Sequence, residues 1–139
     1  MSIENLWGGL EGIDSVRTPS MILQEQAGLL GKLTNEVLQG KVKRDPLSEL
    51  REDSNVKMTL YIVAPALQGY SVKILDLDYS YTTAYPVKVT NSLEGSLWRA
   101  SSESDLTGIL KDILSSQRVT NIVAALIAES RMSIVDPSS

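Results

Sequence analysis

The chain has 139 residues, 42% of them hydrophobic and 22% charged, which is the composition of one globular domain. Its 13 Lys and Arg against 17 Asp and Glu leave a net charge of -4 and a pI near 4.8, so general attraction to nucleic acid or anionic lipid lacks its usual driving force, although a local basic patch is compatible with these totals. Without Cys or His there is no disulfide, no thiolate nucleophile, no Ser-His-Asp triad and no Cys- or His-ligated metal, which leaves carboxylate chemistry, lysine chemistry and hard cations held by oxygen.

Residues 1–18 are read as a flexible arm, because Gly8 and Gly9 interrupt the short helical stripe of Ile3, Leu6, Trp7 and Leu10. The opening Met1-Ser2-Ile3-Glu4-Asn5 does not resemble a secretory signal, and the longest apolar stretch, Ile122 to Ala128, is far shorter than the roughly 20 residues of a membrane span. A cytoplasmic chain with no membrane association is therefore expected.

A long helix is predicted from Pro19 to about Gln39, capped by Thr18, stopped by Gly40, and apolar along Ile22, Leu29, Leu30, Leu33 and Val37. Gly28 and Gly31 lower its propensity but would let another backbone approach. Lys41 to Asn55 is dense in charge and is read as a solvated connection with at most one short turn after Asp45-Pro46.

The hydrophobic period then changes to 2. Met58, Leu60, Ile62 and Ala64 define one face of a strand closed by Pro65. Gln68-Gly69 marks a turn before a second strand over Ser71–Ser80, in which Leu75, Leu77 and Tyr79 alternate with Asp76 and Asp78. Tyr85, Val87 and Val89 give a third strand, Asn91 to Gly95 a turn, and Leu97-Trp98-Arg99 a fourth. Such short connections predict an antiparallel four-strand meander over about 56–99.

Two C-terminal helices follow. Ser102 and Asp105 resemble a capping box ahead of Leu106, Ile109, Leu110 and Ile113, and Ser115-Ser116 precedes a stripe of Val119, Ile122, Val123, Leu126 and Ile127. Alanines 124, 125 and 128 make this last helix apolar around much of its circumference. The expected architecture is an α+β domain over 19–135, with one long N-terminal helix and two C-terminal helices packed on one sheet face, followed by a frayed tail at 136–139.

Few constellations could carry chemistry. Asp76 and Asp78 lie two apart on a strand, about 7 Å from each other at a rise of ~3.3 Å per residue, which suits a hydrolytic carboxylate pair or two cation ligands. The plainer interpretation is that they form a solvent face while Leu75, Leu77 and Tyr79 face the core. Lys57, Lys73 and Lys88 likewise suit a solvated face or edge protection. All five tyrosines fall between Tyr61 and Tyr85, a clustering compatible with recognition as well as with strand packing. The C-terminal helix pair presents too few polar side chains for a DNA-reading helix-turn-helix, and no Gly-rich phosphate loop occurs.

These observations lead to the expectation of a non-catalytic, acidic protein-interaction module that associates with itself, needs no cofactor or metal, and binds a protein partner instead of nucleic acid. Trp7, Tyr61, Tyr79, Tyr81, Ile122 and Leu126 are its candidate partner-binding residues. An inhibitor or immunity-type protein masking a basic partner also fits the charge. The alternative is a small divalent-metal-assisted hydrolase using Asp76 and Asp78, with Glu103 or Asp105 brought near by folding.

Overall fold

The computed structural model describes residues 4, 6–8, 17–45 and 55–134. Helix α1 (Pro19–Leu33) precedes strands β1 (Gln39–Arg44), β2 (Asn55–Ala64), β3 (Tyr70–Ser80), β4 (Val87–Asn91) and β5 (Leu97–Ala100); helices α2 (Glu103–Leu114) and α3 (Gln117–Ile134) close the chain. The strands form one antiparallel sheet in the order β1-β2-β3-β4-β5. The α+β class and the meander therefore hold, but the sheet has five strands where four were expected.

The additional strand, β1, opens the segment read as a charged connection. Its alternation rests on Gly40 and Val42 alone, set between Gln39, Lys41 and Lys43, so a period-2 signal of two residues was outweighed by local charge. It is an edge strand, and only one of its faces is covered.

Helix α1 starts as expected, with Thr18 Oγ1 accepting from the Met21 N–H at 3.3 Å and Pro19 in its first turn. It ends at Leu33, short of Gln39. Asn35 and Glu36 take left-handed conformations (φ 52° and 66°), and the Glu36 N–H donates to the Gly31 carbonyl at 2.8 Å, which satisfies a carbonyl of the last turn. Gly40, expected to stop the helix, instead lets α1 settle on β1: a Cβ there would stand 2.6 Å from the Cα and carbonyl oxygen of Ala27. The close approach anticipated at Gly28 and Gly31 thus occurs at Gly40. Gly28 faces open space, and Gly31 faces the Glu36 carboxylate.

One face of the sheet is covered. Val56, Met58, Leu60, Ile62 and Ala64 of β2 pack with Leu75, Leu77 and Tyr79 of β3 and with Val87 and Val89 of β4. Ile22, Leu23 and Ala27 of α1, Leu106, Leu110 and Ile113 of α2, and Val119 and Leu126 of α3 complete the same cluster. At ~25 cal/mol per Å² of apolar area removed from water, this burial is the main favourable contribution to folding.

The pairing of β2 with β3 is irregular between Leu60 and Tyr61. Leu60 opposes Leu75 while Tyr61 opposes Lys73, which leaves Ile74 as the extra residue of a β-bulge. Strict alternation along this strand would place Val72 on the face of Asp76. The bulge reverses that phase, so Val72 joins Leu75 on the covered side and Lys73 joins Asp76 on the other.

Helix α2 is capped by Ser102 as anticipated, with the reciprocal bond of Asp105 made to the residue before the cap. Ser102 Oγ accepts from the Asp105 N–H at 3.2 Å, and the Asp105 carboxylate accepts from the Ser101 N–H at 3.1 Å. Ser116 caps α3 through the Val119 N–H. Most of the expected arm and all of the expected tail lie outside the described residues. Among the described residues no helix is long and apolar enough to cross a membrane.

Candidate functional site

The face of the sheet turned away from the helices has a charge opposite to that of the whole chain. Strand register assembles it in three rows. Lys41, Tyr61 and Lys73 form one; Lys43, Thr59, Asp76, Thr90 and Leu97 form the next; Lys57, Asp78, Lys88 and Arg99 form the last. Among the described residues, six basic side chains stand in these rows with two acidic ones. The rest of the protein is correspondingly more acidic than its total charge suggests.

Both aspartates are engaged. Asp76 is only 7% exposed; its carboxylate accepts from Thr59 Oγ1 at 2.5 Å and meets Lys73 Nζ at 3.2 Å. Asp78 accepts from Asn55 Nδ2 at 3.1 Å. Burial of a carboxylate is tolerated where it is hydrogen-bonded and ion-paired, which is the position of Asp76. The expected solvent face is confirmed in direction, but Asp76 is covered by its neighbours. Glu103 and Asp105, the additional carboxylates of the hydrolase reading, have other partners: Glu103 meets Arg17, and Asp105 belongs to the α2 cap. Among the described residues no group of three or more carboxylates is placed to hold a metal ion.

The basic residues are less well balanced. Lys88 and Arg99, both exposed, stand directly opposite each other on β4 and β5. Like charges so placed are destabilising in a sheet. Lys43 Nζ lies 5.1 Å from the centre of the Tyr61 ring, a cation–π contact that places one aromatic within the basic field. Two shallow hollows, of about 290 and 470 Å³, mark the two ends of this surface, one beside Lys43, Lys57 and Lys73 and the other beside Lys88 and Arg99.

The six residues predicted to bind a partner do not converge. Tyr61 alone belongs to the open face. Tyr79 and Leu126 are each 7% exposed and lie in the core, while Ile122 is half-buried against it. Tyr81 is exposed beyond β3 with the Arg44 guanidinium 5.5 Å from its ring centre, and Trp7 is exposed on the N-terminal segment. The apolar circumference of α3 is partly absorbed within the chain, since Val119 and Leu126 are buried and Ile122, Val123 and Ile127 are half-buried. A crevice of about 180 Å³ beside α1 is lined by apolar side chains such as Leu30, Leu33, Leu60 and Val123, and Gln26 is its one polar lining residue.

The basic residues of the site were visible one strand at a time, as alternate lysines, but their union across five strands required the register. Comparison of the chain with protein-family models, with curated proteins and with solved structures found no match.

Proposed function

We propose that this protein is a non-catalytic interaction module whose contact surface is the open face of the sheet. The observation that carries this reading is the concentration of Lys41, Lys43, Lys57, Lys73, Lys88 and Arg99 on one side of a chain with net charge -4. Clustered charge of one sign raises the local concentration of opposite charge and steers association, even when the overall charge has the other sign. The opposition of Lys88 to Arg99 is consistent with the same reading: Asp78 faces Lys88 from β3, while Arg99 at the outer end of the row has a like charge opposite it, a repulsion that a bound anionic group relieves.

The test is retention on a sulfonated cation-exchange matrix at pH 7 and low salt. A protein of pI near 4.8 with evenly spread charge passes through such a column. Retention is expected, with elution by moderate salt because exposed charges are screened within about 10 Å at 0.1 M. Combined Lys88→Glu and Arg99→Glu substitution should abolish it. Passage of the unaltered protein through the column would remove this reading.

The hydrolase alternative keeps Asp76 and Asp78 on one face but must recruit a group beyond them. It requires Mg²⁺, Mn²⁺ or Ca²⁺ to raise the melting temperature and Asp76→Asn with Asp78→Asn to cancel the rise. We expect no cation-dependent rise, since both carboxylates already have partners.

A further inference from the structure

We infer that the occupant of the open face is a short acidic protein segment, with carboxylates at alternate positions, laid across the strands. This inference rests on the interaction-module reading above. Neighbouring strands are about 4.8 Å apart, so five strands span roughly 20 Å. Lys41, Lys43, Lys57, Lys88 and Arg99 offer cations on both flanks of that width; of the two aspartates between them, Asp76 is neutralised by Lys73 and Asp78 stands between Lys57 and Lys88, which leaves the rows a net excess of positive charge. An extended segment places alternate side chains about 6.6 Å apart on one side, so a few Glu or Asp residues at alternate positions can reach the cations of β1 and β2 and then those of β4 and β5.

Charge alone would also suit nucleic acid, but two features favour carboxylates. Single-stranded nucleic acid is held on successive aromatic side chains, and Tyr61 is the one aromatic in the three rows, its ring already covered on one side by Lys43. A long polyanion would also extend beyond the basic face and meet the acidic remainder of the chain. A segment that ends within about 20 Å avoids that repulsion.

A second copy of the chain is a weaker fit. Glu25 and Glu103 on its helical side both meet Arg17, and Asp105 is held in a cap, so a second copy would have to use the exposed Glu36, Glu94, Asp112 and Glu129, which lie on separate helices and turns and form no alternating row.

Fluorescence anisotropy of the full chain with a labelled peptide of alternating Glu and Thr, about six residues long (~20 Å when extended), tests the inference beside labelled oligothymidylate of equal charge. The peptide should bind at low salt more tightly than the oligonucleotide, and Lys88→Glu with Arg99→Glu should weaken it at least tenfold. Lys41→Glu with Lys43→Glu, on the opposite edge, should weaken it comparably. Both substituted pairs are exposed, so each variant is expected to retain its fold, which circular dichroism checks.

Tighter binding of the oligonucleotide, still lost on charge reversal, would overturn the acidic-segment inference and leave the interaction face standing. Light scattering that shows an oligomer dissolved by the same substitutions would also overturn it, by making a second copy the occupant. If neither probe binds while the column still retains the protein, the inference alone fails; if the column does not retain it either, the interaction face fails with it.

Discussion

Lys73 and Asp76 are three residues apart in the same β-strand and nevertheless make an ion pair of 3.2 Å on the same face of the sheet. In a regular strand an odd separation places side chains on opposite faces. The extra residue at Ile74 restores the match, burying the Ile74 side chain completely while turning Lys73 outward. A single bulge thus determines both the continuity of the core and the neutralisation of the one deeply covered carboxylate on the open face.

Unequal costs are expected from removing the two partners. Asp76→Ala strips the buried Thr59 hydroxyl of its acceptor and should destabilise the fold by about 1–3 kcal/mol. Lys73 is 45% exposed, and Lys73→Ala should cost about 1 kcal/mol or less, as for solvent-accessible ion pairs. Urea unfolding of the two single variants checks the order, and equal effects would contradict it.

Arg99→Glu should stabilise the protein while weakening contact with anions. It converts the like-charged opposition with Lys88 into an attractive pair, a change worth roughly 0.2–1 kcal/mol across adjacent strands. A rise in the urea midpoint together with reduced retention on the cation exchanger is the expected outcome. Loss of both stability and retention would show that Arg99 is needed for the fold itself.

Gly40→Ala should weaken the union of α1 with the sheet. The added Cβ would meet backbone atoms of Ala27 at 2.6 Å, which no side-chain rotation relieves. Overpacking of this kind costs about 1–3 kcal/mol. The equivalent change at Gly28, which faces open space, should be neutral or stabilising because Ala has the higher helix propensity. Thermal unfolding of the two variants separates them.

Tyr85 supplies a prediction in pH. Burial, then the negative charge of Glu103, raises its phenol above the ordinary value of 10.0, against an opposing contribution from Arg17. A raised value in the fold means that its contribution to stability is complete below pH 10 and is lost as the pH climbs through the higher folded value. The phenol oxygen is buried with no hydrogen-bond partner among the described residues. Tyr85→Phe should therefore stabilise the protein by about 1 kcal/mol at pH 7 and lessen its alkaline destabilisation, as read by urea unfolding at pH 7 and above pH 10.

The sequence by itself determined the elements whose signals are local. The Thr18-Pro19 start of α1, the Ser102 cap of α2, the turn at Gln68-Gly69 and the division of Leu75, Leu77 and Tyr79 from Asp76 and Asp78 all arise from hydrogen bonds or alternation within a few residues. It also excluded every mechanism that requires imidazole or thiol. Strand β1 and the end of α1 were not legible, because two small or apolar residues in a charged run are a weak period and because the left-handed turn uses Asn35 and Glu36 where Gly40 was expected.

Only the tertiary structure decided which side chains share a surface. The lysines are spread from Lys41 to Lys88, and neither their spacing nor their number states that they meet. Pairing across five strands joins them, and the bulge at Ile74 sets the phase that includes Lys73. Tyr79 and Leu126 were removed from the candidate surface for the same physical reason: local sequence records how side chains alternate, whereas long-range pairing and packing decide which phase meets the core and which meets solvent.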